Sequence, residues 1–327
     1  MKTRSRLLLA ATGLALAAGP VMAETVIIGM FGNPTPMQAA RAEKKFEAAT
    51  GWDIEWRVFG AGTEVIAAMA SGDVQLSELG SSPLAIAASQ GVDLQAFMIA
   101  HGLGTAESLI AKQDSGIAKL EDVKGKRIAV PIGSTAHYSL MGALAHAGIA
   151  ETDVTIINLP ADQIAAAWDS GQVDAAFVWE PVQNQILQTG TFIIGADQTA
   201  QWGYPTFDAW VVNRSFAEAN ADKLVAFAKV IDEANKEYLA DPAAWTADSE
   251  KVKTIAEITG AAPDQVPAIL KGFTFIPLAD QLTETWMGGA AATMKNTAEF
   301  LVKAGRIDAA ADDYSAFVTT SIAEAAK

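Results

Sequence analysis

The chain has 327 residues, no cysteine, 50% hydrophobic and 19% charged residues, and a formal net charge of -15. The absence of cysteine excludes thiolate nucleophiles, cysteine-bound metals and a lipid-modified cysteine at a cleavage point, and a surface this acidic excludes nucleic acid and anionic membranes as partners. The balance is that of a folded globular protein, long enough for two domains.

Lys2, Arg4 and Arg6 precede an apolar run from Leu7 to Ala18, and Val21-Met22-Ala23 forms a small-residue cleavage site. Residues 1–23 are therefore predicted to be an export signal, with a mature chain starting near Glu24. Losing three cations takes that mature chain to about -18. The apolar run is short for a bilayer, and no other stretch reaches about 18 uninterrupted apolar residues. An exported, unanchored and soluble chain is expected in the periplasm.

Short apolar runs then alternate with helical patterns. Val26–Met30 reads as a strand, followed by the turn Asn33-Pro34-Thr35-Pro36 and a helix through Phe46 that Gly51 ends. Further strands are predicted at Asp53–Val58, Val74–Leu79, Leu94–Ile99, Leu109–Ala111, Arg127–Val130, Thr155–Asn158 and Ala175–Val178. This cadence implies an α/β class with parallel sheets and crossover helices. Beyond Asn213 the pattern turns helical, with a long amphipathic stretch from Leu224 to Leu239 stopped at Asp241-Pro242.

Two turns are the strongest local signals: Gly80-Ser81-Ser82-Pro83 and Gly133-Ser134-Thr135-Ala136-His137-Tyr138. Each follows an apolar stretch and opens a predicted helix, where unpaired N–H groups and the helix dipole favour an anion. Plain N-capping by Ser and Thr explains either turn equally well when taken alone. An internal echo bears on the choice. Residues 66–74 (IAAMASGDV) resemble 164–173 (IAAAWDSGQV), and each precedes a strand and a proline turn, Gly80–Pro83 in one case and Trp179-Glu180-Pro181 in the other. A duplicated architecture would bring these turns to one cleft beyond the strand ends.

Asp208 lies in an aromatic and β-branched run, where it is either a counter-ion for a ligand ammonium or a strand-end acid facing water. Trp179, Trp202 and Trp210 are core residues or an apolar wall for a small ligand. Glu180 either caps the helix after Pro181 or meets the ligand. His137, one of 3 histidines, either donates to an anion or packs. Asn33, Thr35 and Gln38 could line the cleft, though turn chemistry also accounts for Asn-Pro and Thr-Pro. No hydrolytic triad, phosphate loop or metal-ligand spacing is present, so no catalytic residue, cofactor or metal is expected and binding is favoured over chemistry.

Four segments carry a family resemblance: Leu79–Ala85, Gly125–Pro131, Ser134–Leu140 and Gln201–Val212, joined near the C-terminus by Asp313-Tyr314-Ser315. Together they resemble the taurine-binding periplasmic proteins of ABC importers, within the broader group that binds sulfonates and nitrate. The resemblance implies a two-lobe type II periplasmic binding protein fold, each lobe a mainly parallel sheet flanked by helices, joined by two crossover strands and closing like a hinge. Lobe 1 would comprise residues 24–111 and 213–327, and lobe 2 residues 112–212. Ser81, Ser82, Ser134, Thr135 and His137 would hold a sulfonate, and Asp208 an ammonium; Asn33, Trp179, Glu180 and Trp202 complete the expected site. Glu180 and the Asn33–Pro36 segment depart from the family pattern. The expected ligand is taurine or a related sulfonate, and the expected partners of a monomeric carrier are an inner-membrane permease and its ATPase. The alternatives are other aliphatic sulfonates or small zwitterions, or an enzyme on the same scaffold, although cysteine-dependent desulfination is excluded by composition.

Overall fold

The computed structural model describes residues 25–327; the expected export signal lies outside them. The chain builds β1 (Thr25–Met30), α1 (Met37–Ala42), α2 (Lys45–Thr50), β2 (Asp53–Val58), α3 (Gly62–Ala70), β3 (Leu76–Gly80), α4 (Ser81–Ser89) and β4 (Gln95–Leu103). It continues with β5 (Glu107–Lys112), β6 (Arg127–Val130), α5 (Thr135–His146), β7 (Thr155–Asn158), α6 (Ala161–Asp169), β8 (Ala175–Trp179), α7 (Val182–Leu187), β9 (Gly190–Gly195) and α8 (Ala196–Gln201). It returns through β10 (Phe207–Val212) and ends in α9 (Arg214–Ala219), α10 (Ala221–Ala240), α11 (Glu250–Thr259), α12 (Val266–Gly272), β11 (Phe273–Thr274), α13 (Met287–Lys303) and α14 (Ser321–Ala326).

The strands form two sheets, ordered β11-β4-β10-β3-β1-β2 and β7-β6-β8-β5-β9. Without the short edge strand β11, the first reads β4-β10-β3-β1-β2 and the second, reversed, β9-β5-β8-β6-β7. The arrangement is the same, and the echoed segments fall on α3–β3 and α6–β8. In each sheet one internal strand runs antiparallel to its neighbours, β10 between β3 and β4 and β5 between β8 and β9.

Those two strands move relative to the expected lobe boundaries. Residues 109–111, expected with the first lobe, belong to β5 in the five-stranded sheet, and residues 207–212, expected with the second, form β10 in the six-stranded sheet. The chain crosses between sheets just before each of them, at residues 104–106 and 202–206. Both strands are apolar on both faces, so composition alone does not distinguish the sheet they leave from the one they enter.

Apolar residues fill both faces of the first sheet. Trp210, Phe46, Phe97 and Phe227 pack on one side, and Leu79, Leu84, Ile99 and Met294 on the other. The face of α10 carrying Leu224, Phe227, Ile231 and Tyr238 is buried, which explains its predicted amphipathic period, and the helix stops before Pro242 as Asp241-Pro242 requires. The second sheet has its own cores, around Leu109, Phe177 and Leu140, and around Ile164, Trp168 and Val178.

Candidate functional site

The turns after β1, β3, β6 and β8 meet between the two sheets, as expected for ligand sites beyond strand carboxyl ends. They bound a cavity partly open to solvent, with about 320 Å³ of empty space counting that opening, lined by Phe31, Asn33, Gly80, Pro83, Leu103, Glu107, Thr135, Trp179 and Asp208. Phe31 from the first lobe and Trp179 from the second face each other with ring centroids 6.4 Å apart.

Helix α4 begins directly at Gly80, whose extended backbone (φ -66°, ψ 151°) turns the strand into the helix without a side-chain cap. A Cβ on Gly80 would stand 2.9 Å from Thr135 Cγ2 and 3.2 Å from Asp208 Oδ1, so only glycine permits this approach. The two serines that follow are fully buried and engaged. Ser82 Oγ donates to the Gly133 carbonyl at 3.2 Å across the cleft, and Ser81 Oγ accepts the Phe207 N–H at 3.4 Å.

At the facing turn, Ser134 is the N-cap of α5. It accepts the His137 N–H at 3.2 Å and donates to the Pro131 carbonyl at 2.7 Å, which is the simple capping role. Thr135 reaches the cavity with its Oγ1 2.5 Å from Glu107 Oε2. His137 lies beneath the turn, fully buried; its Nδ1 accepts the Gly133 N–H at 3.4 Å, and its Nε2 has no partner among the described residues. Burial, reinforced by Arg306, pushes its pKa down to about 4, so the ring is neutral.

Asp208 and Glu107 occupy matching places on the two antiparallel strands. Asp208 pairs with Gly80 at the end of β3, and Glu107 pairs with Trp179 at the end of β8. Asp208 Oδ2 lies 3.1 Å from His101 Nε2. Glu107 is fully buried beside the Thr135 and Ser139 hydroxyls, and burial, with the charge of Asp208, pushes its pKa up to about 8. It is therefore largely protonated at neutral pH and adds little negative charge. Asn33 completes the wall with a buried Oδ1 that no described residue satisfies.

Of the expected residues, the structure brings Asn33, Thr135, Trp179 and Asp208 to the cavity, with Ser81, Ser82, Ser134 and His137 in the turns that shape it. Two others are placed elsewhere. Glu180 is the helix cap, receiving the Asn184 N–H at 3.1 Å and Gln183 Nε2 at 3.2 Å, and burial raises its pKa to about 7. Trp202 does not line the cavity; it stacks on His146 with centroids 3.8 Å apart and rings 4° from parallel. The indole is large and apolar, and it packs against the core cluster to which α5 contributes Leu140 and Leu144. Trp210 is core. Phe31, Leu103, Glu107 and the His101–Glu78 pair behind Asp208 were not anticipated. The sequence signal for Glu107 is an acid at the start of an apolar strand, as Asp208 is the second residue of β10.

A family model described as NMT1/THI5 like matches residues 33–245. The taurine-binding periplasmic protein of Escherichia coli (strain K12) is 40% identical over 307 residues, covering 94% of this chain and 95% of the relative. The alkanesulfonate-binding protein of Xanthomonas axonopodis pv. citri, solved bound to MOPS, superposes with a TM-score of 0.78 at 22% identity, covering 91% of this chain and all of that one. The periplasmic aliphatic sulphonate binding protein of Escherichia coli superposes at 0.74 with 21% identity, over 91% and 93% of the two chains. With two sheets of matching strand order facing one another across a cavity at their strand ends, and with this extent of sequence identity, the chain belongs to the NMT1/THI5-like family of periplasmic binding proteins.

Proposed function

We propose that this chain is the solute-binding component of an ABC importer, a periplasmic carrier that closes its two lobes on taurine (2-aminoethanesulfonate) and delivers it to an inner-membrane permease. One juxtaposition carries the reading: a buried carboxylate, Asp208, shares a single cavity with the first turns of α4 and α5. A sulfonate spreads one charge over three oxygens, so the N–H groups left free at the starts of α4 and α5 suffice to hold it without a cation, with Thr135 on the cavity wall and Ser81, Ser82, Ser134 and the neutral His137 holding the two turns in shape. Asp208 receives the ammonium and repels sulfate. Phe31 and Trp179 cover the two-carbon link between the charges. The 40% identity to a taurine-binding relative supports the same ligand. The chain acts as a carrier rather than an enzyme, so bound solute is recovered unchanged.

One observation favours a second reading, an aliphatic sulfonate without an amine: Asp208 already has a partner in His101. Isothermal titration with taurine and ethanesulfonate separates the two. Taurine is expected to bind at least about 30-fold more tightly, as a desolvated charge pair warrants. Equal affinities would assign the site to plain sulfonates.

A further inference from the structure

Behind the cavity wall lies a buried polar cluster that the binding reading leaves unused. The strand order β4-β10-β3 places His101 and Glu78 on the two strands flanking the one that carries Asp208. His101 is 2% exposed and Glu78 3% exposed. His101 Nε2 meets Asp208 Oδ2 at 3.1 Å, and Glu78 Oε2 accepts the N–H of Phe31 at 3.2 Å. The cluster thus holds two of the residues that line the ligand cavity.

The titratable groups facing the His101 ring are Asp208 from β10 and Glu78 from β3, with Glu107 beyond Asp208. From the β11 side Phe273 and Phe275 close on the ring, with centroids at 4.6 and 6.4 Å, and the small void beside the ring adds only the uncharged polar groups of Thr35 and Asn235 to Glu78. Among the described residues no lysine or arginine balances the two acids, so the imidazole is the switchable cation of the cluster. Protonated, it matches the charge of Asp208 and leaves little for a ligand. Neutral, it still donates Nε2–H and leaves a full carboxylate whose Oδ1 lies on the Gly80 side, toward the cavity.

We propose that His101 is the positioning residue for the ligand amine: it grips Asp208 by Oδ2, leaves Oδ1 to the cavity, and by losing its proton increases the negative charge that the cleft presents. The inference rests on the reading of Asp208 as the ammonium partner. Burial alone would lower the ring's pKa, but the hydrogen bond to Asp208 and the charges of Asp208 and Glu78 outweigh it and raise it. An ammonium arriving at Asp208 opposes the imidazolium. Binding and deprotonation are therefore linked, and each promotes the other.

Two measurements test this. In the ligand-free protein, NMR titration of the imidazoles should show the His101 pKa falling in Asp208→Asn; an unchanged His101 overturns the proposal. With ligand, taurine affinity of the native chain should rise with pH by up to about tenfold per unit while His101 loses its proton. His101→Gln, which keeps a donor to Asp208 but cannot titrate, should lose that one-proton slope and retain only what Glu78 and Glu107 contribute. An identical slope in the variant overturns the proposal. Equal binding of ethanesulfonate and taurine, with the His101 titration still dependent on Asp208, would support the His101–Asp208 linkage and instead sink the taurine reading.

Discussion

At the level of single residues, the cleft is built from acids whose charge states differ because their surroundings differ. Asp208 has an imidazole partner at 3.1 Å, whereas Glu107 has hydroxyl neighbours and no cation. Replacing Asp208 with Asn should weaken taurine by about 2 kcal/mol or more, since a buried ammonium loses its charge partner, and leave ethanesulfonate unaffected; calorimetric titration of both ligands checks this. The raised carboxyls carry a stability consequence. Glu107 near 8 and Glu180 near 7 keep their protons in the folded chain above the ordinary value of 4.5, at which the unfolded chain releases them. The folded state then binds more protons, so stability is fully present below pH 4.5 and is lost as pH rises toward 7 to 8. The melting temperature of the ligand-free protein should fall between pH 5 and 8 from this source, and the fall should be smaller in Glu107→Gln.

At the level of elements, α5 fits closely against the second crossing segment. Gly142 sits mid-helix, where glycine ordinarily costs about 0.5–1 kcal/mol relative to alanine. Here a Cβ would overlap the ring of Tyr204, which lies in the segment leading back to β10. Tyr204 in turn meets Tyr138 and Phe300 edge to face, and Arg306 just beyond α13 pairs with Glu151, so the C-terminal region grips the second lobe beside the hinge. Gly142→Ala, which should stabilise an isolated helix, is expected to destabilise this protein by about 1–3 kcal/mol through overpacking, as urea unfolding would report. Phe300→Ala should destabilise the protein by about 1–3 kcal/mol by removing two edge-to-face contacts worth about 0.5–1.5 kcal/mol each, measured by urea unfolding alongside the native chain.

For the whole molecule, two lobes of equivalent strand order share one buried cavity, and a cross-cleft bond joins Ser82 to Gly133. A ligand that binds between them stabilises both together. Taurine at about 100 times its dissociation constant should add about 2.7 kcal/mol of apparent stability, visible as an upward thermal shift that ethanesulfonate at the same concentration does not match. The strongly acidic chain, at a formal net charge of -15, supplies no attractive field for an anion. The sulfonate end must therefore be held by local N–H groups and hydroxyls, and binding should depend only weakly on salt.

What the residue pattern determined alone was the alternation of strands and helices, the two glycine-serine turns and the repeated α3–β3 and α6–β8 units, because these follow from local periodicity, turn chemistry and helix starts. It also singled out Asp208, since a carboxylate in an apolar strand needs a partner. Tertiary structure decided which sheet claims β5 and β10, because two-sided apolar strands carry no sign of their neighbours. It decided as well that Glu180 caps a helix, that Trp202 stacks on His146, and that Glu107 lines the cavity while Glu78 and His101 lie behind its wall. Those residues are brought together by strands that pair across long sequence separations, and their charge states come from burial and mutual distance, neither of which exists until the sheets have formed.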